Sequence, residues 1–322
     1  MQTVLVAGGA GFIGTHLCES LLNENYKVIC VDNLITSDKK NIEKLLISPN
    51  FKHVEHDITN PLTDLSFEEV DFIFHLASPA SPNKKSPRSY INFPIQTLLA
   101  NSSGTKNLLD LARDKNAKFL YASSSEVYGD PLISPQKEDY FGNVNPIGVR
   151  SVYDEAKRFG EAITMAYFRK HNLNIRIIRI FNTYGPLMLI DDGRVVSNFI
   201  NQAIKNEPLT VYGKGTQTRS FCFVDDMVMG LKKAMFMENT NGEVFNLGNP
   251  GERTILETAN LIKTLTNSNS EIVFEELPED DPKTRKPDIS KAEKELGWRP
   301  TINVERGVQM LFDWVKENKN LF

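Results

Sequence analysis

Apolar residues cluster in six short runs, at positions 4–7, 28–31, 51–54, 72–76, 119–122 and 175–180. Between them lie stretches whose apolar positions recur every three or four residues, clearest over 95–113 and 153–170. A short continuous apolar run is a strand buried on both faces, and the three-to-four repeat is an amphipathic helix. Strands alternating with helices predict an α/β fold with a doubly wound parallel sheet. The later chain is less regular. Positions 186–193 read as a loop, 197–205 as a helix, and 209–212 as a strand ending in the turn Gly213-Lys214-Gly215. The run at 242–248 is expected to return a strand to the main sheet.

Ligands of such sheets sit outside the carboxyl ends of the strands, so the residues just past each run carry the chemistry. The first run breaks into Gly8, Gly11 and Gly14 and then into an amphipathic stretch. This is a strand, a tight turn and a helix N-terminus, where backbone can approach a pyrophosphate and free N–H groups favour the anion. The second run ends at Asp32, about 20 residues on, where a carboxylate holds the ribose hydroxyls of NAD and repels the 2′-phosphate of NADP. The cofactor expected is therefore NAD. Residues 1–185, completed by the strand near 242–248, are expected to form a Rossmann domain. A smaller lobe, mainly 186–322, is expected to close over the strand ends.

Composition mostly excludes. The 322 residues carry a net charge of −4 with both signs interspersed, which gives no electrostatic footprint for nucleic acid or an anionic membrane. The first strand begins at Thr3, leaving no room for a signal peptide, and no apolar run reaches bilayer length. A soluble, cytoplasmic protein is expected. Cys18, Cys30 and Cys222 are odd in number and dispersed, as buried thiols are, and the five histidines lack metal-ligand spacing. No metal is expected. The segment 275–287 is acidic, then basic, with three prolines, and by composition reads as a solvated linker.

The fifth run is followed by Ser123, Ser124, Ser125 and Glu126, and later come Tyr153 and Lys157. Four residues apart on a helix, Tyr153 and Lys157 share one face. An ammonium near a phenol lowers its pKa, so that the phenolate can take a proton from a sugar hydroxyl as hydride leaves for NAD.

With these residues in place, the chain resembles the extended short-chain dehydrogenase/reductases, and within them the UDP-glucuronate decarboxylases (UDP-xylose synthases). The narrower motifs are His75-Leu-Ala-Ser-Pro-Ala-Ser-Pro82, Asn143-Val-Asn-Pro-Ile-Gly148, Asp192-Gly-Arg-Val-Val-Ser-Asn-Phe199 and Arg285-Lys-Pro-Asp-Ile289. The resemblance implies Tyr153 as base, Lys157 as its partner and Ser125 with Glu126 as the active-site pair. It sets Arg285 beside the substrate carboxylate, replacing the linker reading. Asn182, Arg194, Tyr212 and Arg219 match nucleotide-sugar contacts, with Tyr90 and Val195 completing the expected substrate set. The expected cofactor set adds Phe12 and Ile13 in the glycine turn, and Asn33, Asp57 and Ile58 beyond the second and third runs. Leu76, Ala77, Ser78 and Ser123 follow from the fourth and fifth. The chain departs from the family in a longer link between Pro82 and Tyr90 and in Leu187 where an arginine is common. Ser124 replaces a threonine, and Val152 and Ala156 replace a cysteine and a glycine.

The resemblance implies C4 oxidation of UDP-glucuronate, loss of CO2 from the 4-keto sugar, and re-reduction to UDP-xylose by a homodimer. The alternatives are a nucleotide-sugar 4,6-dehydratase, a 4-epimerase, or an inactive NAD-sensing regulator. A dehydratase usually has Asp where this chain has Ser125, and an epimerase usually leaves the place of Glu126 small.

Overall fold

The computed structural model describes residues 1–63, 65, 67–189, 192–276 and 284–318. Positions 190–191 of the loop at 186–193, and 277–283 of the segment at 275–287, lie outside the described residues.

Strands β1 (Thr3–Ala7), β2 (Lys27–Asp32), β3 (Phe51–Glu55), β4 (Phe72–His75), β5 (Lys118–Ser124) and β6 (Ile175–Ile180) form one sheet. Glu243–Leu247 joins as its seventh strand, outside β6, and every pairing is parallel. From the outer strand Glu243–Leu247 the order runs through β6, β5, β4, β1 and β2 to β3. The chain winds one way from β1 to β3 and the other way from β4 onward. The topology therefore reverses between β1 and β4, which opens a crevice at their carboxyl ends.

Alternate residues of β1 feed opposite cores, because side chains of a strand alternate between faces. Val4 and Val6 pack with Leu17, Cys18 and Leu21 of α1 (Phe12–Asn23), whereas Leu5 and Ala7 pack with Leu108, Leu109 and Ala112. The latter belong to α3 (Thr105–Lys115), which is preceded by α2 (Pro94–Leu99); α4 (Ser151–His171) lies on the same face. Both faces of the sheet are covered, so its central strands β1 and β4 are buried along their whole length.

The helix expected over 95–113 is interrupted by a π turn at Ala100–Gly104 between α2 and α3. Its cause is a polar anchor in the core: Asn101 Nδ2 donates to Thr97 O (2.8 Å) and Ser78 Oγ (2.9 Å), and its Oδ1 accepts from Tyr121 Oη (2.8 Å). A helix wound regularly would turn this residue out of reach.

Leu209–Tyr212 is the expected strand and pairs in parallel with Ile272–Glu275. Two further short pairings were not visible in the sequence pattern, Thr183–Tyr184 with Cys222–Phe223 and Thr218–Ser220 with Glu252–Thr254. Cys18, Cys30 and Cys222 are buried free thiols. Among the described residues no helix is long and apolar enough to cross a membrane.

Candidate active site

The turn after β1 is a close backbone packing. Gly8 has φ +82°, and a Cβ there would stand 2.6 Å from Ala77 N. A Cβ on Gly14 would stand 2.1 Å from Gly8 O, so α1 can cross the turn only with hydrogen at that position. Gly11 is the N-cap of α1 and supplies no side-chain cap. Phe12 and Ile13 pack sideways against the core, which leaves the positive end of the helix to its backbone N–H groups. Leu76 N donates to Ala7 O (2.8 Å), which brings Leu76, Ala77 and Ser78 alongside the turn.

Asp32, at the end of β2, accepts from Ala10 N at 3.0 Å on Oδ2, and from Leu34 N (2.9 Å) and Ser37 Oγ (2.8 Å) on Oδ1. Asn33 Nδ2 donates to Asp57 Oδ2 (3.1 Å). Burial disfavours the Asp57 carboxylate, but hydrogen bonds from Thr59 and Asn33 outweigh it and hold its pKa below the ordinary value. Ile58 is less accessible than expected. Its side chain packs where Gly104 leaves room, and its carbonyl accepts from Asn107 Nδ2 (2.9 Å).

The catalytic residues meet beyond β5. Ser124 caps the turn Ser125–Tyr128 by accepting from Glu126 N (3.2 Å), and its hydroxyl is near enough to the Tyr153 phenol to lower its pKa. Ser123 is turned elsewhere: its Oγ donates to Glu161 Oε1 (2.6 Å), within a pair that Glu161 makes with Arg179 (2.8 Å). Ser125 gives its carbonyl to Arg285 Nη1 (2.6 Å).

Tyr153 is buried, and burial pushes its phenol up to about 12. The Arg194 cation and the Ser124 hydroxyl work against that rise, while Glu126 and Asp154 add to it. Lys157 lies beneath the Tyr153 ring. Its Nζ donates to Ala122 O (2.8 Å) and stands 5.7 Å from the Tyr153 ring centroid. Burial lowers the Lys157 ammonium itself to about 7. The groups favouring the phenolate are thus Arg194 and Ser124, with Lys157 beneath the ring.

Glu126 Oε2 accepts from Arg150 Nη2 (2.5 Å) and Arg285 Nη2 (3.1 Å). Burial would raise its pKa, yet Arg285, Arg150 and Arg219 together hold it at about 2. Arg285 is only 1% exposed, and the flanking backbone pairs with Gln136. Around Arg285 the linker reading therefore fails. Burial lowers the Arg285 pKa while Glu126 opposes.

Arg194, N-cap of the helix Val195–Lys205, donates to Ala80 O (3.0 Å) and pairs with Asp192 (3.2 Å). Asn182 follows β6 and takes Cys222 N on its carbonyl (2.9 Å). Tyr212 ends Leu209–Tyr212, and its carbonyl accepts from Gln217 Nε2 (2.8 Å). The longer link at 83–90 is docked: Ser81 Oγ donates to Asp192 O (2.5 Å), and Gly193 leaves room for Asn83. Beyond it, Tyr90 stacks on Tyr153 with centroids 5.0 Å apart and planes 13° from parallel.

Three site residues escaped the sequence reading: Ser124, Arg150 and Asp154. Arg150 precedes Tyr153 by three, one helical turn, and that spacing was a usable signal. Asp154 is 6% exposed with its Oδ1 unpartnered among the described residues, and burial pushes its carboxyl up to about 8.

The glycine cradle, the uncapped helix end and the Asp32 carboxylate suit a dinucleotide. In agreement, residues 4–248 match the model of the NAD dependent epimerase/dehydratase family, and the chain belongs to it. It is 52% identical to UDP-glucuronic acid decarboxylase 3 of Arabidopsis thaliana over 96% of this chain and 87% of the relative. With UDP-glucuronic acid decarboxylase 1 of Danio rerio the identity is 49%, over 95% and 71%. Among solved structures, UDP-glucuronic acid 4-epimerase from Bacillus cereus in complex with UDP-glucuronic acid and NAD superposes with a TM-score of 0.86. It is 29% identical and covers 98% of this chain and 99% of its own. NAD is thus the cofactor of the family to which this site belongs.

Proposed function

We propose that the protein converts UDP-glucuronate to UDP-xylose and CO2. The observation that carries this reading is the gathering of Arg150, Arg219 and Arg285 around the single carboxylate of Glu126. Such a buried excess of guanidinium suits a substrate bearing both a carboxylate and a diphosphate. The relatives named as UDP-glucuronic acid decarboxylases support it over nearly the whole chain.

Bound NAD supplies a two-electron acceptor that takes hydride from sugar C4 and later returns it. Gly8, Gly11, Phe12, Ile13 and Gly14 would hold its pyrophosphate, and Asp32 and Asn33 its ribose. Asp57 and Leu76–Ser78 flank the same crevice. Tyr153, ionised with help from Ser124 and Arg194, takes the proton of the C4 hydroxyl. With a ketone at C4 the C5 carboxylate leaves readily, because its electron pair delocalises onto O4, where Tyr153 and Ser124 can hydrogen-bond it. Arg285 and Arg150 hold the carboxylate. Arg194, Val195, Arg219, Asn182 and Tyr212 hold the nucleotide sugar. Residues 1–185 with Glu243–Leu247 would carry NAD, and 186–322 mainly the nucleotide. Dehydration is disfavoured, because Glu126 stays ionised and has no proton for a departing hydroxide.

Exposed Ile95, Leu99 and Phe159 on α2 and α4 support a homodimer packed through these helices. Buried free thiols accord with a reducing, cytoplasmic setting. The test is to incubate the purified protein with UDP-glucuronate and weigh the product. UDP-xylose with CO2 and no net NADH is expected, and UDP-glucose should give no 4-keto-6-deoxy sugar. A 4-keto-pentose with stoichiometric NADH would remove the final reduction, and tight NAD binding without turnover of any sugar nucleotide would favour a sensor.

A further inference from the structure

Decarboxylation leaves a proton debt at C5. When the C5–C6 bond breaks, its electron pair forms an enolate across C5, C4 and O4, and C5 must then gain a proton. Four of the groups already assigned are committed elsewhere. Glu126 is held as a carboxylate by its arginines. The proton on Tyr153 came from O4 and returns there, the Ser124 hydroxyl lies beside the Tyr153 phenol, and Lys157 donates to Ala122 O.

Tyr90 is different. It is 1% exposed, and its hydroxyl has no hydrogen-bond partner among the described residues. Leaving a buried hydroxyl unpaired is costly, and here the unpaired group lies against the catalytic tyrosine. Its ring lies flat on Tyr153, and its backbone is pinned by Tyr90 N donating to Ser81 O (3.1 Å), with Ser89 Oγ also donating to Ser81 O (2.9 Å). Arg150, Glu126, Asp154 and Tyr153 are the charged and titratable groups around its hydroxyl. Burial raises its pKa, so it enters each cycle protonated.

We propose that Tyr90 is the acid that protonates C5, an assignment that rests on the decarboxylase reading. The Tyr90 O–H bond breaks as the C5–H bond forms, the enolate collapses to the C4 ketone, and the phenolate is left beside the Arg150 cation. Solvent reprotonates it when product leaves, which matches the one proton that decarboxylation of a carboxylate consumes. Asp154 also carries a proton, but it follows Tyr153 by one residue and so points about 100° around α4 from it. It stands beside Glu126, Arg150 and Arg285, and the experiment below separates it from Tyr90.

The experiment is turnover of UDP-glucuronate in D2O by the wild type, Tyr90→Phe and Asp154→Asn, with NMR of the product at C5. Wild type should place deuterium in one C5 position only. Tyr90→Phe keeps the stacked ring, so melting should stay at or above wild type. Its first turnover should still release CO2, while steady turnover falls about 10²–10⁴-fold and deuterium spreads over both C5 positions. A single labelled position in Tyr90→Phe, with a rate within about threefold of wild type, would overturn the proposal. Scrambling in Asp154→Asn but not in Tyr90→Phe would overturn it in favour of Asp154. Absence of CO2 from the wild type would instead sink the decarboxylase reading, and the Tyr90 assignment with it.

Discussion

At the glycine turn an anion is offered backbone N–H groups from one stretch of a dozen residues, whereas around Glu126 positive charge is delivered by side chains from three distant segments. Arg150 comes from the start of α4, Arg219 from Thr218–Ser220, Arg285 from beyond the described break, and Glu126 from the end of β5. The turn tolerates no added atoms but carries no full charge. The cluster tolerates changes of shape but depends on charge balance. One site is fixed by sterics and the other by electrostatics, and substitutions should separate them.

The largest effect should come from the cluster. Glu126→Gln keeps the shape and leaves the guanidinium groups of Arg150 and Arg285 without their carboxylate, at a cost of about 3–5 kcal/mol in urea unfolding at neutral pH. The pH dependence gives the sign. The Glu126 pKa falls from 4.5 to about 2 on folding, so its stabilisation is full above the unfolded value and is lost as pH drops through that window. The gap between Glu126→Gln and wild type should therefore narrow between pH 4.5 and 2. A gap that stays constant would mean that the arginines do not act through charge.

Gly14→Ala tests the steric side. One methyl set against Gly8 O should cost about 1–3 kcal/mol, with little dependence on pH, and strip NAD from the purified protein. Retention of full NAD occupancy would show that the turn can relax. The smallest change should come from Ser37→Ala. It removes one of three hydrogen bonds to Asp32 and should cost about 0.5–1.5 kcal/mol in thermal unfolding while NAD binding persists.

The same contrast explains what could be read beforehand. The strands of the main sheet follow local sequence patterns, and the turn is local too, so both were legible. The π turn was not, because Asn101 is anchored by Ser78 and Tyr121, which lie 23 and 20 residues away. The spacing of Tyr153 and Lys157 established a shared helix face but not the atom toward which the ammonium turns, which is a carbonyl at the end of β5. The partner of Ser123 was hidden for the same reason, since Glu161 lies a helix away. Arg285 was legible only through family resemblance, because local composition cannot show that a proline-rich, charged segment docks on Gln136.

The seventh strand bears on how such a protein can be taken apart. Glu243–Leu247 lines the outer side of β6, and its Asn246 accepts from Tyr128 Oη (2.8 Å) while donating to the carbonyls of Gln136 and Asp288. A fragment cut after residue 185 would bare the hydrogen-bonding edge of β6 and leave the Tyr128 hydroxyl with Arg179 as its remaining partner. The nucleotide-binding half is consequently not a cassette that can be transplanted by cutting the chain once. Recombination with a relative would have to exchange two separate stretches together, and a growing chain cannot finish its central sheet until the later one has emerged.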